Sequence, residues 1–355
     1  MLLDLDADLA TLLTRIVDVE SVSGNERELA DLVEEALRLP HLELVRDGDL
    51  VVARTNLGRA QRVVIAGHLD TVPVEDNLPS HRVTGDEGDV IWGRGTVDMK
   101  GGVAIMLKLA AELTAPNRDI TWIFYDNEEV EATKNGLGRL ARNRPDLLQA
   151  DFAVLMEPTD AGIEGGCQGT LRLGFELKGV AAHSARSWMG HNAIHDLATL
   201  LGVLTRYEPR EIEVEGLVFR EGLNAVGISG GVAGNVIPPS ARLAVNYRFA
   251  PDKTADEAVE YMREVFRGFD FEIEDKSPAA RPGLDRPLAQ EFVAAVGEIA
   301  RPKFGWTDVA RFSELGIPAV NYGPGDPMLA HRADERCPVD HLDRCADGLR
   351  AWLAT

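Results

Sequence analysis

Apolar residues follow two rhythms along this chain. In the first, short unbroken apolar runs stop at a histidine or an acid. Residues 62–67 (RVVIAG) stop at His68, 120–125 (ITWIFY) run into acids, and 151–156 (DFAVLM) stop at Glu157. Short apolar runs bounded in this way read as buried strands. Residues 99–113 (MKGGVAIMLKLAAEL) carry apolar positions at helical spacing and predict a helix. Its two glycines fall in the first turn, where they cost little. Strands feeding helices in this order predict an α/β fold with a mostly parallel sheet covered by helices on both faces.

The second rhythm begins near Gly169. Residues 170–178 (TLRLGFELK) alternate apolar and polar, as a half-exposed strand does. A helix over about 191–207, strands at 224–230 and 242–249, and a helix at 252–266 follow. This block reads as an α+β insertion with an antiparallel sheet. From about Pro282 the first rhythm resumes, with a strand at 317–322. The expected organisation is a discontinuous domain of residues 1–170 and 282–355, interrupted by a smaller one at 171–281. A length of 355 residues fits two domains.

Composition narrows the classes. The 45% hydrophobic and 27% charged fractions are those of a globular protein. No run of about 18 apolar residues predicts a transmembrane helix. The acidic start, MLLDLDADLATLL, does not read as a signal peptide. Cys167, Cys337 and Cys345 are odd in number and lack CxxC spacing, so neither a disulfide framework nor a cysteine zinc site is expected, and the cytoplasm fits. A net charge of −21 disfavours nucleic acid and anionic membrane as partners.

Chemistry concentrates where the apolar runs end. The segments are GHLDTVP with His68 and Asp70, GRGTVDMKGG with Asp98, NEE with Glu128 and Glu129, EP with Glu157, and a late AH with His331. In open α/β sheets ligands bind beyond the carboxyl ends of strands. Imidazole and carboxylate are the donors catalytic Zn²⁺ takes. Two Zn²⁺ bring about +4 of formal charge, which three carboxylates and a hydroxide balance. Singly these residues say little. A histidine after a strand is usually structural, Glu128-Glu129 alone reads as a solvated patch, and Asp98 alone reads as a helix N-cap before Met99.

Together, these motifs resemble the zinc-dependent M20 aminoacylase and carboxypeptidase family, in its order and spacing. The likeness continues through GVAAHSA (Gly179 to Ala185) and GGVAGNVIPPSARLAVNYRFAP (Gly230 to Pro251). It implies a zinc-hydrolase-like catalytic domain with an inserted lid and dimerisation domain, hence a homodimer. It also implies two zinc ions per subunit, with cobalt able to substitute. His68, Asp98 and Glu157 would hold one zinc, and Asp98, Glu129 and His331 the other, with the Asp98 carboxylate bridging and a cis peptide after Asp98 aiming it. Glu128 would be the general base and Asp70 would orient His68. His183 would reach the partner subunit's active site as an oxyanion donor. Arg248 would bind a substrate carboxylate, with Asn235 and Thr307 as further contacts. Arg172 and Arg186 read equally as substrate contacts or surface residues.

Subtype segments, among them EGGCQGTLR (Glu164 to Arg172) and GWTDVARFSELGIPAVNYGPGDPMLAHRADE (Gly305 to Glu335), resemble the family branch that removes succinate from N-succinyl-LL-diaminopimelate. Cys167-Gln168 stand where some of that branch carry arginines. Deacetylation of N-acetylornithine, a metallocarboxypeptidase and a non-catalytic binding module are the other readings.

Overall fold

The computed structural model describes residues 2–85 and 88–354, which divide into two compact units. The first runs to Gly165 and resumes over Pro282–Arg301 and from Arg311 onward; the second is Gly166–Arg281 with Pro302–Ala310.

In the first unit a mixed sheet runs in the order Glu43–Asp47, Leu50–Arg54, Asp119–Tyr125, Arg62–His68, Phe152–Leu155, Ala319–Asn321, Glu164–Gly165. Its middle is parallel. Arg62–His68 pairs in parallel with both Asp119–Tyr125 and Phe152–Leu155, and the latter pairs in parallel with Ala319–Asn321. Antiparallel strands flank this middle, including the hairpin Glu43–Asp47/Leu50–Arg54, which turns at Gly48 with φ of 63°. That hairpin escapes a reading of apolar runs because its first strand, ELVRD, is only half-buried.

Helix Lys100–Glu112 packs on the sheet and against helices Leu9–Val17 and Val339–Ala354. It is buried on nearly every side, so it shows little amphipathicity. A separate three-stranded sheet joins His81–Gly85, Gly88–Trp92 and Arg336–Pro338. It brings the stretch before Asp98 beside the stretch after His331. No described helix is long and apolar enough to cross a membrane.

The second unit is an antiparallel sheet in the order Gly222–Gly230, Ser240–Phe249, Gly169–Lys178, Glu272–Ser277. Side chains alternate. Leu171, Leu173, Phe175, Leu243, Val245 and Tyr247 are buried against helices Ala193–Arg206 and Ala255–Val265. Thr170, Arg172, Asn246 and Arg248 share the opposite face through the pairs Arg248↔Thr170 and Asn246↔Arg172. Helix Ala255–Val265 starts three residues later than its pattern, at a capping box between Thr254 and Glu257. The unit opens at Gly166 rather than at residue 171, and it takes in Pro302–Ala310. Backbone bonds between Cys167 and Ala280 close its ends, and the Cys167 thiol donates to the Thr307 carbonyl.

Candidate metal centre

Register builds the site. His68 is the last residue of its strand and lies opposite Tyr125 of the parallel neighbour. The chain after Tyr125 therefore leaves the sheet beside the chain after His68. On the other side, the Met156 amide donates to the Ala66 carbonyl at 2.9 Å and sets Glu157 just past the strand end. Glu128 and Glu129 thus flank His68 on one side and Glu157 on the other.

Asp98 comes from a different construction. Residues 93–99 form a turn between strand Gly88–Trp92 and helix Lys100–Glu112, and the Asp98–Met99 peptide is cis. The helix is not capped by Asp98: Met99 is the N-cap residue and no side chain caps it. The Asp98 carboxylate instead faces two imidazoles. His68 Nε2 lies 3.1 Å from Oδ1, and His331 Nε2 lies 3.3 Å from Oδ2 and 2.9 Å from Glu129 Oε1. Ligand atoms of His68, Asp98 and Glu129 all fall within 4.8 Å of one another, a donor set that fits a divalent metal ion. Glu128 and Glu157 are outside that tight group. His331 reaches it from a loop with φ of 65° and is half-exposed.

Asp70 holds both His68 and the acidic loop. Its backbone carbonyl accepts from His68 Nδ1 at 2.9 Å, which fixes the proton there and leaves Nε2 to face Asp98. Its carboxylate sits farther from Nδ1, at 3.5 Å. It also accepts from the Glu128 and Glu129 amides at 3.0 and 3.1 Å and from the Ser23 hydroxyl at 2.7 Å. The loop bends at Asn127, whose φ of 57° departs from an extended strand. Buried Glu26 holds that bend: its Oε1 accepts from the Gly24 amide at 2.9 Å and the Asn127 amide at 3.1 Å. Burial raises the Glu26 pKa.

Protonation follows from these contacts. Burial works against a charged His68, yet hydrogen bonds to Asp70 and Asp98 outweigh it and raise its pKa well above the usual value. The carboxylates of Asp98 and Glu129 push His331 up to about 10. Burial would raise Asp98, but hydrogen bonds from His331 and His68 hold it well below the carboxylate range.

Gly102 has a tertiary purpose that its position in a first turn conceals. A Cβ there would run into the Met156 carbonyl oxygen and Cβ, immediately before Glu157. Gly102→Ala is expected to displace that peptide and cost about 1–3 kcal/mol in denaturant unfolding. Unchanged stability would show slack at this contact.

The remaining predicted residues lie in the second unit. The Arg248 side chain is half-buried, makes no hydrogen bond or ion pair among the described residues, and has its pKa lowered by burial. Arg172 is instead exposed and faces Glu274 at 3.6 Å. Arg186 is also exposed. Thr307 is buried, whereas Asn235 is exposed and accepts the Ser184 amide on its backbone carbonyl. His183 is exposed, and its Nδ1 accepts from the Ala185 amide at 3.0 Å, so its proton sits on Nε2. Cys167 and Gln168 are turned inward, and burial pushes the Cys167 thiol up to about 11. All three cysteines are buried and free.

Sequence reading missed Glu26, Arg94 and Glu335. Their signal is faint: charged residues within SGNE, GRG and HRADE that prove almost wholly buried.

Fold and site together define an α/β protein with a metal-capable cluster beyond the strand ends of its sheet. The chain belongs to the peptidase family M20/M25/M40, whose model matches residues 64–355. A Mycobacterium tuberculosis protein whose name assigns it provisionally as a succinyl-diaminopimelate desuccinylase is 51% identical over 99% of both chains. A Corynebacterium glutamicum protein named succinyl-diaminopimelate desuccinylase is 46% identical over 99% of this chain and 98% of its own. Among solved structures, a Staphylococcus aureus tripeptidase has the same fold, with TM-score 0.79 at 21% identity over 99% of this chain and 98% of its own. So does a dinuclear metal-binding M20 peptidase of Bacillus subtilis, with TM-score 0.71 at 16% identity over 97% and 96%.

Proposed function

We propose that this chain hydrolyses N-succinyl-LL-2,6-diaminopimelate to succinate and LL-2,6-diaminopimelate, using two zinc ions. The observation that carries the two-metal reading is the Asp98 carboxylate, which offers one oxygen to each of two histidines. His68, Asp98 and Glu157 would hold one ion, and Asp98, Glu129 and His331 the second. Zinc supplies Lewis acidity and makes water acidic enough to be deprotonated near neutral pH.

The chain's own residues do the rest. Glu128 takes a proton from the attacking water and delivers it to the amide nitrogen as the carbon–nitrogen bond breaks. Asp70 sets the reach of Glu128 and Glu129 by holding both their amides. The Nε2–H tautomer of His183 suits donation to an oxyanion, contributed to a partner subunit's site. Arg248 suits a substrate carboxylate, because a half-buried guanidinium with no ion pair gains a planar bidentate partner. Asn235 and Thr307 are proposed as further contacts. The Glu274 contact of Arg172 and the inward Cys167 and Gln168 give no support to those positions as anion donors.

Dimerisation is supported by strand Gly222–Gly230. It is an outer strand of its sheet, with Val226 and Ile228 exposed, and Trp188 and Met189 of the same unit are exposed too. Free cysteines fit a cytoplasmic location.

The 51% and 46% identities over nearly the whole chain favour the succinyl substrate over acetyl or peptide substrates. Zinc-loaded enzyme should release succinate from N-succinyl-LL-diaminopimelate far faster than acetate from N-acetylornithine. Selective acetate release would overturn the substrate, and hydrolysis of neither would favour a binding module.

A further inference from the structure

Three segments must converge for the proposed centre to form: the one leaving His68, the one carrying Asp98 and the one carrying His331. His68 ends a strand, but the Asp98 and His331 stretches have no strand ladder at their ligands. A single buried ion pair touches all three. Arg94 is 2% exposed and Glu335 is 1% exposed, and Arg94 Nη1 lies 3.0 Å from Glu335 Oε2.

Their other bonds end on backbone atoms. Arg94 Nε donates to the Pro73 carbonyl at 3.0 Å, on the segment that leaves His68. Nη1 also donates to the Arg332 carbonyl at 3.1 Å, on the residue after His331. Glu335 Oε1 accepts the Val97 amide at 2.9 Å and the Asp98 amide at 3.2 Å. The backbones add two more ties: Arg94 donates to the Asn77 carbonyl at 3.0 Å, and Gly93 donates to the Glu335 carbonyl at 3.1 Å.

We propose that the Arg94–Glu335 pair positions the metal ligands, fastening the His68, Asp98 and His331 segments in ligating register before metal arrives. The inference rests on the metal reading of the site and concerns residues outside the ligand set. A buried ion pair is seldom worth more to stability than an apolar pair of the same volume. Its use here is geometric. Glu335 satisfies two adjacent amides in a turn that has no helix or strand partner for them. Arg94 holds the residue next to His331, whose backbone sits in the left-handed region. Losing either member frees the bridging carboxylate and one histidine together.

The test is zinc affinity of the metal-free chain, measured by competition with a chromophoric chelator at a temperature where circular dichroism shows each variant folded. Glu335→Gln keeps the shape but removes the charge that pairs with Arg94, and should weaken zinc binding about 10–100-fold. Arg94→Lys keeps a cation beside Glu335 without the fork that reaches Pro73 and Arg332. It should also bind zinc more weakly, and it covers the case in which Glu335→Gln does not fold. Turnover of both should be restored toward wild type by excess zinc. Wild-type zinc affinity in a folded variant would overturn this proposal alone. A wild-type chain that takes up no zinc would overturn the metal reading and this proposal with it.

Discussion

Glu128→Ala should keep about two zinc ions per chain and lose turnover by about a hundredfold to ten-thousandfold, the range for a missing general base. The geometry separates the two adjacent glutamates. Glu129 Oε1 lies 2.9 Å from His331 Nε2 and belongs to the tight group with His68 and Asp98, whereas Glu128 does not. Both amides are held by Asp70, so removing the Glu128 side chain leaves the loop and the Glu129 carboxylate in place. Metal content by atomic emission and turnover at saturating substrate are the two readouts. Loss of zinc along with activity would make Glu128 a ligand, and unchanged turnover would remove it from the proposed chemistry.

Zinc uptake by the metal-free chain should release at least one proton near pH 8 and weaken at least about tenfold per unit as pH falls. The cause is the pair of imidazoles around Asp98. His331 is pushed up to about 10 by Asp98 and Glu129, and His68 lies well above its ordinary value. Both therefore carry a proton near neutrality, each of which must leave before a nitrogen can bind metal. Asp98 is held low and is already ionised. In the metal-free fold the same protons are stabilising, because the His331 pKa is raised on folding. That contribution is full below about pH 6.5 and is lost as pH climbs through about 10. Metal-free stability should thus fall over the interval in which zinc affinity rises. Calorimetry in buffers of different ionisation enthalpy counts the protons. A proton count near zero would show that the imidazoles are already neutral.

Much of this centre was legible in the sequence, for a reason of register. Parallel neighbours in the sheet align their carboxyl ends, so acids and histidines that stop apolar runs are carried to one edge. That rule alone carries His68, Glu128, Glu129 and Glu157 to the edge, while their proposed roles rest on the resemblance. Asp98 and His331 needed the resemblance, because each arrives on a loop whose course no periodicity describes. The antiparallel hairpin at 43–54 was hidden by half-buried charged positions, and Gly102 looked merely tolerated until the Met156 backbone was seen against it.

By itself the sequence determined the α/β rhythm, the inserted α+β block and the identities of the candidate ligands, because local apolar spacing and motif order depend only on neighbouring residues. Tertiary structure alone decided which oxygen of Asp98 meets which histidine, that the Asp70 carboxylate also holds the Glu128–Glu129 loop, and that Arg94 and Glu335 are buried together. Those outcomes depend on contacts between residues as far apart as 94 and 335. Such contacts are set by how the sheets and helices pack, and no local pattern in the chain encodes them.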